Sequence, residues 1–577
     1  MGTPMLSHPN AKLLQAPRGW TVDAVLVGSI AAVLYLLLAV ASRDFVRATP
    51  SVTIDLHPAA LPLYALLSLL RMIAAYALSL AFTLVVGYAA AHNRAARRIV
   101  VPALDILQSI PVLSFLPAVL LAMIALFPGR AVGLELGSVL LIFTGMVWNM
   151  AFSFYHSLLT VPEELSEAAR AFRLSWWQRF VSLDLPAATI GLVWNSMMSW
   201  AGGWFFLMAT ESFSLGKQSF TLPGLGSYLS VAANGGDFAA ILWGLGTLVA
   251  MIIALDQLVW RPLIAWSERF KLELSASQDV PTSRVLDLLR HSTLLPWARR
   301  QIQAASARTQ RRRPLADRAQ RPSLSPAAVR LEPAFSRVMT GLGLAAIAWG
   351  TVSLVRMIAG VSPAQWIAIG KGSAATVLRV EIALAISLAW SVPAGVAIGL
   401  RPRLAQIAQP IAQIAASVPA TAVFPILLLI ILRIGGGLSI ASVLLMLLGT
   451  QWYVLFNAIA GAIALPRDLQ EAAALMKLRG WMRWRELILP GIFPHLVTGG
   501  ITAQGGAFNA SIVSEYVVFE GKTLQTIGLG ALISASANSG DYHLLAAATV
   551  AMGTIVIVIN RLFWRRAVNL AEERYHL

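Results

Sequence analysis

The stretch VPEELSEAARAFRLSWWQRFVSLDLP, residues 161–186, lies between two long apolar runs and is itself rich in charged side chains. A second stretch, LPRDLQEAAALMKLRGWMRWRELILP, occupies residues 465–490 in the same setting. In both, apolar and alanine side chains recur at i, i+3, i+4 and i+7, the spacing of one helix face. Each stretch is therefore predicted to contain a short amphipathic helix. Thr160 followed by Glu163 predicts a capping box at the start of the first helix.

The composition indicates that most of the chain lies in a membrane. Of the 577 residues, 57% are hydrophobic and 12% charged, with a mean hydropathy of +0.71, which excludes an ordinary soluble protein. Apolar runs of about 20 residues recur, the length that a helix needs to cross a bilayer, and they lack the alternation of β-barrel strands. The predicted fold class is an all-α polytopic membrane protein. Cysteine is absent from the sequence, so disulfide and thiol chemistry are excluded.

The two halves of the chain repeat each other. A shift of 304 residues carries Glu167 onto Glu471, and upstream a shift of 308 carries Arg71 onto Arg379. A shift held this constant indicates a duplication. One stretch alone is equally well interpreted as a helix lying flat on the lipid surface, but two copies with the same Glu-Ala-Ala and Leu-Pro argue against that interpretation.

The repeat predicts about twelve transmembrane helices arranged as two tandem six-helix units, with a translocation pathway between them. The expected division is a first repeat at residues 1–265, a basic linker at 266–332 and a second repeat at 333–577. The net charge of +17 is explained by Lys and Arg in cytoplasmic loops. For the linker, anionic lipid headgroups are a better partner than nucleic acid. The bilayer is thus an expected partner and nucleic acid is not.

The Glu-Ala-Ala and Leu-Pro elements resemble the EAA loop of permease subunits from bacterial ATP-binding-cassette importers. The matching residues are Glu167, Ala168, Ala169, Leu185 and Pro186 in the first stretch and Glu471, Ala472, Ala473, Leu489 and Pro490 in the second. The resemblance implies that each loop is a coupling helix that docks on a cytoplasmic ATPase. It departs at one position, because Arg173 and Lys477 replace the glycine that normally follows six residues after the glutamate. The geometry of that turn stays open, and Gly480 is a candidate to make it in the second copy.

The resemblance further implies that this chain is a fused double permease of the bacterial inner membrane. The excess of Lys and Arg in the loops of one side predicts that these loops and both termini lie in the cytoplasm. The partners implied for the chain are two ATPase subunits and a periplasmic substrate-binding protein. ATP would be bound by the partner subunits, so no cofactor is expected in this chain. Gly521-Lys522-Thr523 lacks the earlier glycine of a phosphate-binding loop. The sequence contains no evident catalytic or metal-binding set, and we expect the chain not to be an enzyme.

Two outer segments suggest a substrate class. GLGSYLSVAANGGD at 224–237 and GLGALISASANSGD at 528–541 resemble the region before the last span in permeases of the nitrate/sulfonate/taurine group. This resemblance implies a small oxyanion or an organic sulfonate- or nitrate-type solute.

Polar residues inside apolar runs are candidates for the translocation pathway, because polar groups are costly in hydrocarbon. The pathway candidates, including two prolines, are Gln108, Ser109, Pro111, Asn149, Glu211, Pro419, Gln451, Gln504, Asn509 and Glu515. For Asn and Gln, hydrogen bonding between helices is at least as good an interpretation as substrate contact. The third span of each repeat is predicted to break at its prolines, Pro111 and Pro117 or Pro419 and Pro425, and matching broken helices point to a translocation site.

The leading hypothesis is therefore the permease of an ATP-driven importer. The alternative is an ion-gradient-driven secondary transporter or channel without ATPase partners. That alternative needs buried ionisable relays within the spans, whereas Glu211 and Glu515 lie near span ends.

Overall fold

The computed structural model describes residues 52–127, 131–215, 218–270 and 345–574, with short pieces between 25 and 39. The described part is helical apart from two short β-hairpins. Almost all of the predicted linker lies outside the described residues, as does much of the first apolar run.

The first repeat consists of eleven helices and one hairpin in the described residues. The helices are α1 (Leu61–Phe82), α2 (Tyr88–His92), α3 (Arg94–Ser109), α4 (Leu116–Leu126), α5 (Ala131–Leu159), α6 (Glu163–Ala171), α7 (Trp176–Arg179), α8 (Leu185–Glu211), α9 (Leu225–Gly235), α10 (Phe238–Leu255) and α11 (Arg261–Ser267). Strands β1 (Ser212–Leu215) and β2 (Gln218–Thr221) pair antiparallel. Single π-helical turns join α1 to α2, α7 to α8 and α10 to α11 without a break.

The second repeat follows the same order. Its helices are α12 (Ala345–Ala359), α13 (Pro363–Gly399), α14 (Pro402–Ser417), α15 (Ala420–Arg433), α16 (Leu438–Ala464), α17 (Arg467–Leu475), α18 (Gly480–Arg483), α19 (Leu489–Ser514), α20 (Leu529–Ser539), α21 (Tyr542–Ile559) and α22 (Arg565–Arg574). Strands β3 (Tyr516–Phe519) and β4 (Lys522–Gln525) form the matching antiparallel hairpin. In both repeats the hairpin is followed by an 11-residue helix and then an 18-residue helix.

Six helices in the described chain are long and apolar enough to cross a membrane. They are Pro58–His92, Val132–Leu159, Phe238–Ser267, Pro363–Gly399, Leu438–Ala464 and Tyr542–Ala571. The bent pair α14 and α15 would make a seventh. This count is lower than the expected number of about twelve. Helices α8 and α19, with 27 and 26 residues, are long enough to cross, but Gly, Ser, Asn and Gln lower their hydropathy.

The predicted break in the third span is confirmed, and one proline in each repeat produces it. Ile110 and Val418, the residues before Pro111 and Pro419, have extended backbones with ψ of 123° and 116°. A following proline disfavours the helical conformation, so the preceding helix ends there. In the second repeat the two helices meet at 82°. Pro117 and Pro425 lie within the next helix and do not break it.

A buried ion pair ties each repeat together at its hairpin end. Glu211, the last residue of α8, is fully buried. Its carboxylate accepts hydrogen bonds from Arg71 Nη1 and Ser68 Oγ of α1, both at 2.7 Å. The backbone N–H of Gly226 in α9 donates to the same carboxylate at 2.7 Å. One side chain thus joins α1, α8 and α9.

The second repeat contains the same arrangement at the positions that the sequence shift predicts. Glu515 is fully buried directly after α19 and accepts from Arg379 Nη1 and Thr376 Oγ1, both at 2.8 Å. The Gly530 N–H donates at 2.9 Å. We call these two groups the Arg–Glu clamps. They differ in one partner: Arg71 also makes a two-pronged contact with Glu135 at 2.6 and 2.7 Å, whereas Arg379 donates to a hydroxyl of α16 instead.

Steric packing explains why a glycine directly precedes α9 and α20. A Cβ atom at Gly224 would lie 2.3 Å from the Glu211 carboxylate, and one at Gly528 would lie 2.1 Å from that of Glu515. Real Cβ atoms do not approach other atoms this closely. The first glycine of each Gly-Leu-Gly is therefore required by the clamp that packs against it.

Breaking one clamp is expected to destabilise the protein strongly. Arg379→Met leaves the buried Glu515 charge without its partner, and removing one member of a buried pair costs about 3–5 kcal/mol. Thermal unfolding of the detergent-solubilised chain, followed by fluorescence-detected size exclusion, should show a clear fall in Tm. The matched control is Arg485→Met, because Arg485 forms a pair with Glu486 at 3.5 Å that is largely exposed to solvent. Equal Tm changes in the two variants would contradict the role of the clamp.

Candidate functional site

The Glu-Ala-Ala stretches form helices α6 and α17, as their periodicity predicts. Both helices have a proline as N-cap, Pro162 in the first copy and Pro466 in the second, and neither has a side-chain cap. The predicted capping box is wrong, because the Thr160 hydroxyl donates to the carbonyl of Ser157 at 3.1 Å. A capping box does occur in this loop, at the start of α7 between Ser175 and Gln178.

The missing glycine of each loop is replaced by a residue in the left-handed conformation. Arg173 has φ of 52° and Lys477 has φ of 55°. In the first loop the N–H of Leu174 bonds to the carbonyl of Ala169, five residues back, and the N–H of Arg173 bonds to that of Arg170. This is the Schellman pattern, which normally has glycine at the left-handed position. The turn is therefore preserved and its geometry no longer open, although Gly480 also has a positive φ of 53°.

Each loop exposes large apolar side chains together with charged ones. Glu167 and Glu471 are exposed, while Ala169 and Ala473 face inward with 6% and 5% exposure. Large apolar side chains that are more than half exposed accompany the glutamates: Phe172, Trp176, Trp177, Leu475, Met476, Trp481 and Met482. Exposed apolar side chains in this number are typical of a protein or membrane contact.

The Leu-Pro element connects each loop directly to a long helix. Leu185 and Pro186 are the first two residues of α8, and Leu489 and Pro490 are the first two of α19. Proline is favoured at the start of a helix, where its missing N–H costs no hydrogen bond. Because a π-helical turn precedes each element without a break, α7 and α18 continue into α8 and α19. Displacement of either loop would therefore be transmitted to a long helix.

Glycine at the left-handed positions is expected to stabilise the loops. A non-glycine residue pays about 1–2 kcal/mol for this conformation, so Arg173→Gly and Lys477→Gly should slow amide exchange of the peptides that cover the two loops. Hydrogen–deuterium exchange with mass spectrometry measures this. Arg170→Gly is the matched control, because Arg170 lies within α6 and glycine costs about 1 kcal/mol in a helix. Faster exchange in Arg173→Gly would contradict the observed turn.

Two cavities lie one after the other between the repeats. The inner cavity, of about 480 Å³, is lined by residues of α8, α14, α16 and α19, beginning at Trp194 on α8. The outer cavity, of about 340 Å³, is lined by the ends of α8 and α19 together with α9, α20 and the hairpins. Along α8 the inner cavity extends to Phe206 and the outer one starts at Met208. The inner cavity is therefore on the side of the two Glu-Ala-Ala loops.

The broken helices lie between the two cavities. The backbone N–H of Leu113, just after the first break, donates to Asn509 Oδ1 of α19 at 3.2 Å. Nearby, Thr549 of α21 donates to the carbonyl of Ser114 at 3.2 Å. These bonds join the first repeat to the second at the level where α8 passes from one cavity to the other.

Two of the pathway candidates line a cavity. Pro419 and Asn509 both contribute to the wall of the inner one. Pro111 is buried at the first break, while Gln108 and Ser109 end the helix before it.

Glu211 and Glu515 line neither cavity. Their carboxylates are held in the Arg–Glu clamps, which differs from the expectation that they face the pathway. The physical reason is that an unpaired carboxylate at this depth would be costly, and each glutamate has an arginine on the neighbouring helix.

The remaining amide candidates, Gln504, Gln451 and Asn149, do not line either cavity. Gln504 accepts a hydrogen bond from Trp564 Nε1 at 2.7 Å and donates to Glu381. This fits the interpretation of amides as links between helices. Gln451 is buried in α16 and Asn149 is half-buried in α5, and neither lines a cavity.

The aromatic residues that line the inner cavity were not predicted from the sequence. Trp194 and Phe205 on α8, and Trp452 and Tyr453 on α16, all line it. Aromatic residues are ordinary in apolar spans, so composition did not distinguish them. The sequence did contain one signal. The shift of 304 residues pairs Tyr453 with Asn149, so the two repeats differ in residue type at this position. The position lines the cavity in the second repeat only.

Residues 83–259 and 391–566 each match the family of binding-protein-dependent transport system inner membrane components. The chain belongs to this family. The two matches coincide with the two repeats, so the duplication and the permease resemblance are confirmed. The chain is a multi-pass inner membrane component of a transport system, and its family is not one of enzymes.

Three relatives show what the chain resembles. The taurine transport system permease protein TauC of Escherichia coli strain K12 is 29% identical over 187 residues, covering 32% of this chain and 62% of the relative. The nitrate import permease protein NrtB of Leptolyngbya laminosa is 24% identical, covering 33% and 64%. The riboflavin transport system permease protein RibX of Chloroflexus aurantiacus is 31% identical, covering 27% and 55%. The chain thus spans less than two thirds of each relative.

Proposed function

We propose that this chain is the complete pair of permease units of an ATP-driven importer, with one ATPase docked on α6 and a second on α17. The observation that carries the proposal is the pair of exposed helices, each presenting a glutamate beside large apolar side chains. A protein groove explains these surfaces better than lipid headgroups, because both copies repeat the same exposed helix and both continue into a helix that lines the cavities.

The proposed coupling is mechanical. Each loop continues into α8 or α19, and these two helices line both cavities. Closure of the ATPases on ATP would draw α6 and α17 together and move the long helices relative to each other. Access to the space between the repeats would then alternate between the two sides. Such a shift requires that ATP-bound ATPases have a higher affinity for one of the two states.

The orientation follows from this proposal. The loops and both termini would face the cytoplasm, and the hairpins with α9 and α20 would face a periplasmic substrate-binding protein. Residues 1–265 and 333–577 would be the two permease units, and the basic segment 266–332 would join them at the cytoplasmic surface. The ATPases would bind ATP, and this chain would not.

The substrate of the proposed importer is a small organic or inorganic solute. The relatives are named for taurine, nitrate and riboflavin transport, a range that includes oxyanions and an uncharged aromatic molecule. The ion-gradient alternative is not favoured, because Glu211 and Glu515 are both engaged in ion pairs and Glu381, within the span Pro363–Gly399, accepts a hydrogen bond from Gln504.

The natural absence of cysteine allows a direct test. Glu167→Cys or Glu471→Cys, labelled with benzophenone-maleimide in native membranes and irradiated, is expected to crosslink to an ATP-binding-cassette ATPase identifiable by mass spectrometry. Lys522→Cys, at the tip of the outer hairpin, is the control and should not capture that ATPase. Crosslinks from the two loop positions to lipid alone, or capture of the ATPase from the hairpin, would contradict the proposal.

A further inference from the structure

We propose that the inner cavity binds a flat, aromatic, uncharged solute whose hydrogen-bonding groups lie along one edge. This inference rests on the proposed transport function and specifies its substrate class. It departs from the oxyanion class that the outer segments imply, because it follows from the side chains that line the pathway itself.

Aromatic side chains from both repeats line the cavity. Helix α8 of the first repeat contributes Trp194, Phe205 and Phe206, and helix α16 of the second contributes Trp452 and Tyr453. Aromatic rings favour offset stacking and edge-to-face contacts with other rings, worth about 0.5–1.5 kcal/mol beyond the area that they bury. A cavity of about 480 Å³ is within the usual range for small organic ligands. It is far larger than a nitrate ion requires.

Two glycines make room for one of these rings. The Tyr453 hydroxyl lies 3.5 Å from the Cβ position of Gly202 on α8, and its ring lies 3.6 Å from the Cβ position of Gly506 on α19. The shift of 304 residues relates these two glycines. Tyr453 therefore extends between the two long helices, where any larger residue at either position would contact its ring.

The amide side chains of the wall come from one repeat. They are those of Gln409 and Gln413 on α14 and of Asn509 on α19. The position of the first repeat equivalent to Asn509 is Phe205, which also lines the cavity. Both repeats thus contribute aromatic side chains to the wall, but only the second contributes amides. A planar molecule with apolar faces and one polar edge matches this distribution.

None of the described residues that line the inner cavity is charged, and the same is true of the outer cavity. An anion that entered would lose its hydration without gaining a cationic partner, which is costly. The start of α15, at Ala420, is the positive feature of the wall. It carries roughly half an elementary charge, which is less than the full charge of an oxyanion.

The proposal is tested by ligand binding to the purified full-length chain in lipid nanodiscs. The probes are riboflavin and lumichrome, which are planar and uncharged, and taurine and nitrate, each measured by flow dialysis. We expect saturable binding of at least one planar probe and none of taurine or nitrate. Trp452→Ala should weaken that binding about tenfold or more, and Trp452→Phe, which keeps an aromatic face, should weaken it less than threefold.

Trp148→Ala is the matched control, since Trp148 is the equivalent residue of the first repeat and lies outside both cavities. It should leave binding within twofold. Saturable taurine or nitrate binding that Trp452→Ala abolishes, or no planar binding up to the solubility limit, would overturn the inference. The crosslinking test of the ATPase contact is independent of these results, so failure of the substrate class is distinguishable from failure of the transport function.

Discussion

The structure depends on two buried ion pairs between arginine and glutamate. Each Arg–Glu clamp joins the first long helix of a repeat, the end of a cavity-lining helix and the short outer helix. Because Glu211 and Glu515 end α8 and α19, the clamps fix the outer ends of these two helices. Their inner ends continue into the coupling loops. The outer ends are thereby anchored, and movement of the loops is expected to change the relative tilt of the two helices.

This arrangement explains why the two long helices that line both cavities are not among the six helices of the described chain that are apolar enough to count as spans. A helix surrounded by lipid must be apolar, whereas α8 and α19 pack against protein and the cavities. Glycines such as Gly203, whose Cβ position lies 2.1 Å from the Met146 side chain, allow close packing. The polar residues of α19 either link helices, as Gln504 does, or face the cavity, as Asn509 does.

Much of the fold follows from the sequence, because the shift between the repeats, the apolar runs and the proline positions each have a direct physical consequence. Pro111 and Pro419 end the helices that precede them, whereas Pro117 and Pro425 lie within helices. The position of a buried polar residue in the fold is harder to predict. Glu211 was expected to line the pathway, but it pairs with Arg71, which is 140 positions away in the sequence and therefore gives no local signal. Likewise, no local pattern indicates that Arg173 adopts a left-handed turn, since only the fold around it requires that conformation.

The central claim is that each coupling helix docks one ATPase, so that one chain carries two. Native mass spectrometry of the complex, purified from its own membrane in mild detergent, measures this stoichiometry directly. The account predicts a complex of one copy of this chain with two ATPase subunits, which dissociates when Glu167 and Glu471 are both changed to lysine. A chain that is reproducibly isolated as a folded protein without any ATPase would contradict it.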